Sequence, residues 1–180
     1  MRLLTFLTIC LILNSCSRDQ SQEQEVRVDL RGQHLTSIPD RIFQMEGLTY
    51  LNLGSSEITF YPPLSALVDS NANQISELPD EIGKLTNLKT LILNSNNLTT
   101  LPNAITKLTN LEVLDLSLNK NLNIIQELDK LKQLPKLKTL LIVDVEMKNR
   151  DTTLVKSSFK TGTKVIFSIP EYVVIFKDLP

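Results

Sequence analysis

Residues 88–110 read LKTLILNSNNLTTLPNAITKLTN, and at Leu111 the chain starts the phrase again with LEVLDLSLN. The match is positional. Leu88, Leu91, Leu93 and Asn96 return 23 residues later as Leu111, Leu114, Leu116 and Asn119, with Leu98, Leu101, Pro102, Ile105 and Leu108 between the two sets. An apolar pattern that recurs at a fixed interval of this length describes a stacked array, in which each unit contacts mainly its neighbours and the units bury one continuous core together. Such an array offers an extended binding surface, and usually no active-site cleft.

Each half of the unit has its own physical logic. Leu91 and Leu93 are two apart, the step of inward-facing positions on a short strand, while Thr90, Ile92 and Asn94 face the other way. Adjacent strands then pair in parallel. Asn73, Asn96 and Asn119 each carry a donor and an acceptor that satisfy turn backbone groups which would otherwise be buried unpaired. The Leu101-Pro102 pair ends the strand-turn half, because proline lacks an amide donor and restrains the residue before it. Asn103 to Leu108 then form a loose or short helical return on the convex side. A single amphipathic helix or coiled coil does not fit, since the period is 23 with an internal step of two and no sustained heptad.

Extending the phrase gives the register. Ile75, Leu78, Pro79, Ile82 and Leu85 precede their counterparts by 23 residues, which places the start of that unit at Ser65. A first copy runs from Glu25 to Gly47 with Val28, Leu30, Leu35, Ile38, Pro39 and Ile42, and a second begins at Leu48 with Leu51, Leu53 and Ile58, 17 residues before Ser65 and so short by 6. Leu137, Leu140 and Ile142 open a sixth copy 26 residues after Leu111, the extra length coming partly from Lys120. About six units are expected over residues 25–147, above the three needed for a stable array.

This pattern resembles the bacterial leucine-rich repeat family, in the 23-residue class with the Leu-Pro-x-x-Ile turn, over roughly Val26 to Val145. Gln33, Ser56 and Val145 depart from it where the family has Asn. The resemblance implies an α/β solenoid, a right-handed β-α superhelix with a parallel concave sheet and short helical or irregular convex segments. It implies a protein ligand bound on the concave face.

The start of the chain carries a second signal. Leu3 to Leu13 is a mostly apolar run after Arg2, shorter than the about 20 residues that cross a bilayer and of the length of a secretion signal's core. It ends in Leu13-Asn14-Ser15-Cys16, which resembles the lipobox of bacterial lipoproteins, where cleavage leaves the cysteine as an acylated amino terminus. The expected organisation is a signal peptide over 1–15 and a lipidated Cys16 with a polar tether over 16–24. By resemblance to enterobacterial lipoproteins, Ser17 after the cysteine favours the outer membrane, with surface or periplasmic orientation open.

Of two cysteines, Cys10 falls in the segment to be removed and Cys16 is the lipidation site, which leaves no thiol for a disulfide, a zinc site or a nucleophile. The 19 basic and 20 acidic residues nearly balance, which argues against a nucleic-acid binder. His34, the single histidine, reads as a solvated turn residue. Asp29, Asp69 and Asp115 share the central outward position of alternate units, which spaces them by nearly 10 Å, about twice the strand spacing and too far to share a metal or a proton. With no glycine-rich phosphate loop or nucleophile-base pair, the expectation is a monomeric protein with no enzymatic activity, metal or cofactor.

The outward strand positions are Arg27, Asp29, Arg31; Tyr50, Asn52, Gly54; Leu67, Asp69, Asn71; Thr90, Ile92, Asn94; Val113, Asp115, Ser117; and Thr139, Leu141, Val143. The first end is charged. Toward the last, Ile92, Val113, Leu141 and Val143 gather into an apolar patch that marks a protein contact, or that the C-terminal tail covers. Tyr50, as the aromatic among these positions, is the candidate anchor, and Asn52, Asp69, Asn94 and Asp115 complete the candidate binding set. Protein recognition at the bacterial envelope follows, as adhesion or host recognition, with a periplasmic scaffold as the alternative.

Residues 148–180 are expected to form a cap: a helix over Asp151 to Lys160, a strand over Lys164 to Phe167, and an apolar tail from Ile169 to Phe176. Tyr172, Val173, Val174, Ile175 and Phe176 are strand-forming and are expected either to cover the stack's end or to await a partner strand.

Overall fold

Leu48, Leu51 and Leu53 in one unit and Leu88, Leu91 and Leu93 in the next are all but sealed from solvent, because the strand step of two sends them to one side of a parallel sheet. In the computed structural model, which describes residues 25–55, 60–61, 65–66, 72–147 and 151–177, that sheet has six strands. They are β1 (Val26–Asp29), β2 (Leu48–Asn52), β5 (Thr90–Ile92), β6 (Val113–Asp115), β7 (Thr139–Leu141) and β8 (Lys164–Ile166), side by side in that order. Each pair is parallel, in registers such as Leu91↔Leu114 and Leu114↔Leu140. Behind the sheet lies one core built from the leucines of every unit.

The return segments differ with unit length. After Pro39, Pro79 and Pro102 the chain makes one short helical turn, at Asp40–Gln44, Asp80–Lys84 and Asn103–Lys107. Proline suits the entry to each turn, since its fixed φ needs no adjustment and no amide donor is lost. Gly83 suits a close contact: a Cβ there would sit 3.0 Å from the Ala104 carbonyl of the next turn. The longer unit from Leu111 has room for a true helix, α1 (Ile124–Leu131), whose start is capped by the Asn123 side chain accepting from the Ile125 amide at 3.2 Å. Glu127 on α1 is buried, but it accepts from Thr100 Oγ1 at 2.9 Å and from Lys130 Nζ at 2.8 Å.

The asparagines tie the units together. Asn96 Oδ1 accepts from the Ile75 amide of the preceding turn at 3.0 Å, while its Nδ2 donates to the carbonyls of Leu53 and Leu93 at 3.0 and 3.1 Å. Asn119 repeats this with Leu98, Leu93 and Leu116. The residues before Asn96 and Asn119, and before the equivalent Gln33 and Val145, lie in the left-handed region: Gly32, Ser95, Leu118 and Asp144 have φ between 54° and 62°. The turn geometry is thus carried by the backbone even where the residue is not glycine.

Two expectations are corrected. Ser65 does not open a strand of this sheet: β2 pairs directly with β5, Leu51 against Leu91. Asn73 closes the turn of the unit whose strand is β2, since its Nδ2 donates to the Leu53 carbonyl at 2.9 Å. Residues 48–87 are one unit interrupted after its strand, and Ser65–Ala66 (β4) pairs antiparallel with Phe60–Tyr61 (β3) inside the interruption. Counting back by 23 from the return half placed a strand at Ser65, whereas the strand of this unit is β2. The sixth strand of the stack is therefore β8.

The second correction concerns the tail. A helix, α2 (Asp151–Ser158), precedes β8, but Ile169–Lys177 is a helix, α3, and not a strand. The Ser168 hydroxyl bonds Glu171 Oε2 at 3.0 Å, and the Tyr172 amide donates to the Ser168 carbonyl at 3.0 Å. This Ser-x-x-Glu start, with Pro170 in the first turn, outweighs the strand preference of the valines.

Candidate functional site on the concave face

Parallel register lines up the outward residues in rows across the sheet. One row runs Arg27, Tyr50, Thr90, Val113, Thr139, Lys164, and the next runs Asp29, Asn52, Ile92, Asp115, Leu141, Ile166. A third follows with Arg31, Gly54, Asn94, Ser117 and Val143. The rows change character from one end to the other.

At the first end the face is open and charged. Arg27 stacks its guanidinium 3.8 Å from the centre of the Tyr50 ring and lies 3.7 Å from Glu25 Oε2. Arg31 grips Asp29 through Nε, 2.9 and 3.0 Å from the two carboxylate oxygens, and through Nη2 at 2.8 Å. Arg27, Asp29 and Arg31 are all exposed. Tyr50 beneath them is buried, its hydroxyl accepting from Asn52 Nδ2 at 3.1 Å, and Asn52 Oδ1 in turn accepts from the Gly54 amide at 3.0 Å.

The centre is closed. Ile92 and Asn94 are both buried, and neither Asn94 Nδ2 nor Oδ1 has a hydrogen-bond partner among the described residues. Asn94 lies directly against Gly54, where any Cβ would overlap its amide. Asp69 lies outside the described residues, as do Cys16 and the signal and tether segments.

At the last end α3 lies on the sheet. Tyr172 is 1% exposed and packs with Leu141, Val143 and Ile166, with Val113, Ile169 and Ile175 around them. Its hydroxyl donates to Asp115 Oδ2 at 2.7 Å, and the Ser117 amide donates to Asp115 Oδ1 at 3.0 Å. Burial raises the Asp115 carboxyl to about 6 despite these two donors, and burial beside that carboxyl pushes the Tyr172 phenol far above its usual range. The apolar patch read from the strands exists, but the tail covers it.

Of the candidate binding residues, the structure joins Val113, Asp115, Leu141 and Val143 under α3, and joins Tyr50 with Asn52 near the first end. Sequence reasoning placed Arg27, Asp29 and Arg31 at the charged end without choosing them, and it missed Tyr172 as a concave-face residue. The signal was present in the helical spacing of Ile169, Tyr172 and Ile175. His34 is exposed in the first turn. Among the described residues there is no group of three or more His, Cys, Asp or Glu placed to hold a metal ion, and no helix long and apolar enough to cross a membrane.

A sequence profile described as "Leucine-rich repeat region" matches residues 27–165. No protein of curated function matches the chain. Among solved structures, a leucine-rich repeat protein of Leptospira interrogans is similar at 23% identity and a TM-score of 0.37 over 79% of this chain. The chain spans about half the length of that protein, the match covering 50% of it. With the profile spanning most of the sequence and the six-stranded parallel stack built on its repeats, the chain belongs to the leucine-rich repeat family.

Proposed function

We propose that this chain is a protein-recognition module of the bacterial envelope, held at the outer membrane by a lipidated Cys16 and displayed outward for adhesion or host recognition. The observation that carries the recognition surface is the open first end of the concave face: Arg27, Asp29 and Arg31 are exposed beside Tyr50, while the equivalent positions of β5 to β7 are buried or half-buried. Both signs of charge are presented within two residues of one strand, which suits a polar protein partner and favours orientation and speed of encounter. Leucine-rich repeat domains generally bind proteins through such faces, which supports the reading. A lipid anchor fits the Leu13-Asn14-Ser15-Cys16 sequence, and more than one acyl chain makes such anchoring stable.

Three measurements test this. Cells fed a labelled fatty acid should label the wild type and not Cys16→Ala, and added protease should remove the domain from intact cells; unlabelled wild type ends the anchor reading, and protection ends outward display. For the surface, a photo-crosslinking residue at position 31 should give a discrete adduct that one at exposed Gln44, on the return segment, does not. Equal adducts from both positions would remove the first end as the recognition surface.

A further inference from the structure

Helix α3 is attached in a way that suits exchange. It has nine residues, below the length at which a helix holds itself in water, so its order depends on the sheet beneath it. It follows β8 after only Phe167 and Ser168. Among the described side chains of α3 only Tyr172 is sealed at the contact; Ile169 and Ile175 pack partly, whereas Val173 and Val174 stay exposed to 36% and 64%. Val173 and Val174 therefore add little to its hold.

The surface below is shaped for an occupant. Leu141, Val143, Ile166 and Val113 form an apolar floor, and Asp115 supplies a single acceptor at its centre. Without α3 this floor would be an exposed apolar patch around a carboxylate, the composition of a recognition site with one polar group fixing orientation. The occupant's own chemistry states what fits: a hydroxyl donor on an aromatic ring, with β-branched side chains at three residues on either side.

We propose that the concave surface over β6, β7 and β8 is a second docking groove, distinct from the charged first end, which α3 fills in the free protein. Its partner is a short helical segment that presents a tyrosine flanked by aliphatic residues at i−3 and i+3, and it enters as α3 leaves. The Asp115 acceptor selects tyrosine over phenylalanine, because phenylalanine would leave a buried carboxylate oxygen without its donor. The proposal does not depend on the lipid anchor or on the first end.

The test uses the full chain and a fluorescent peptide with the sequence of residues 168–177. Tyr172→Ala, which loses its own anchor, should bind the peptide at least tenfold more tightly than the wild type. A peptide carrying phenylalanine at the tyrosine position should bind that variant at least tenfold more weakly. In the wild type, α3 amides should exchange with solvent at least a hundredfold faster than those of β6, as a helix opening on its own requires. Equal peptide binding by the wild type and a folded Tyr172→Ala, or α3 amides that exchange only as slowly as β6, would overturn the groove. Should β6 exchange show that Tyr172→Ala does not fold, Tyr172→Phe takes its place: faster exchange confined to α3 supports the proposal, and unchanged exchange overturns it.

Discussion

Asp29 and Asp115 occupy the same row of the same sheet, yet one is solvated and gripped by Arg31 while the other is sealed under Tyr172. Both take the same place in the repeat. The difference comes from what lies above: open solvent over β1, a helix over β6. A repeat therefore fixes where a side chain points, whereas a segment remote in sequence, 57 residues away for Tyr172, decides whether it meets water. The first end is left as a charged, solvated surface and the last end as an internal interface.

The contrast can be broken most strongly at Tyr172. Tyr172→Ala deletes a fully buried aromatic and should weaken the docking of α3 by about 3–4 kcal/mol, read as faster hydrogen exchange in residues 169–177. Asp29→Ala at the first end should change stability by less than about 1 kcal/mol, as an exposed ion pair allows.

Acidity separates the ends nearly as well. The Asp115 carboxyl is raised from 3.8 to about 6 in the folded chain, so between those values the fold keeps a proton that the unfolded chain has released. Its contribution is complete below about 3.8 and is lost as the pH rises through about 6, amounting to roughly 3 kcal/mol by pH 8. Denaturant unfolding across pH 4–8 should show this loss in the wild type and in Asp29→Asn, but not in Asp115→Asn.

Between the ends, Gly54 and Asn94 mark where the face closes. Gly54→Ala forces a methyl group into the Asn94 amide and should cost about 2 kcal/mol. Asn94→Ala removes that clash along with two unpartnered polar atoms, so the double variant should recover most of the loss, a coupling that a double-mutant cycle in urea would measure. Arg27→Ala, which removes the stacking on Tyr50, should cost only about 0.5–1 kcal/mol, read in the same urea titration.

What could be read from the sequence was whatever is local and periodic. The inward leucines, the Leu-Pro returns and the bonds of Asn73, Asn96 and Asn119 all depend on contacts between adjacent units, so their spacing records them. Two things escaped. The strand assigned from Ser65 came from a period counted across an interruption, whose trace was a Leu48 unit short by 6 residues. The tail was read by the strand preference of Val173 to Phe176, although Ser168, Pro170 and Glu171 mark a helix start; those few residues were the better guide because the sheet, not the tail, supplies the stability. The apolar outward residues Val113, Leu141 and Val143 left a cover by the tail open, but that Tyr172 is seated on Asp115 depends on long-range docking, which the strands do not record.

The split unit has a last consequence. Asn96 bonds the Leu93 carbonyl three residues back, and Asn73 makes the same bond to Leu53 twenty residues back, so the seam between Gly54 and Ala72 closes as though nothing had been inserted. Joining Gly54 to Ala72 would restore the spacing of Leu93, Asn94, Ser95 and Asn96. Position in this molecule is reckoned from each neighbour and not from the start of the chain. The seam is therefore a place where chain length and repeat register are uncoupled: β2 pairs with β5 in register whatever lies between Gly54 and Ala72.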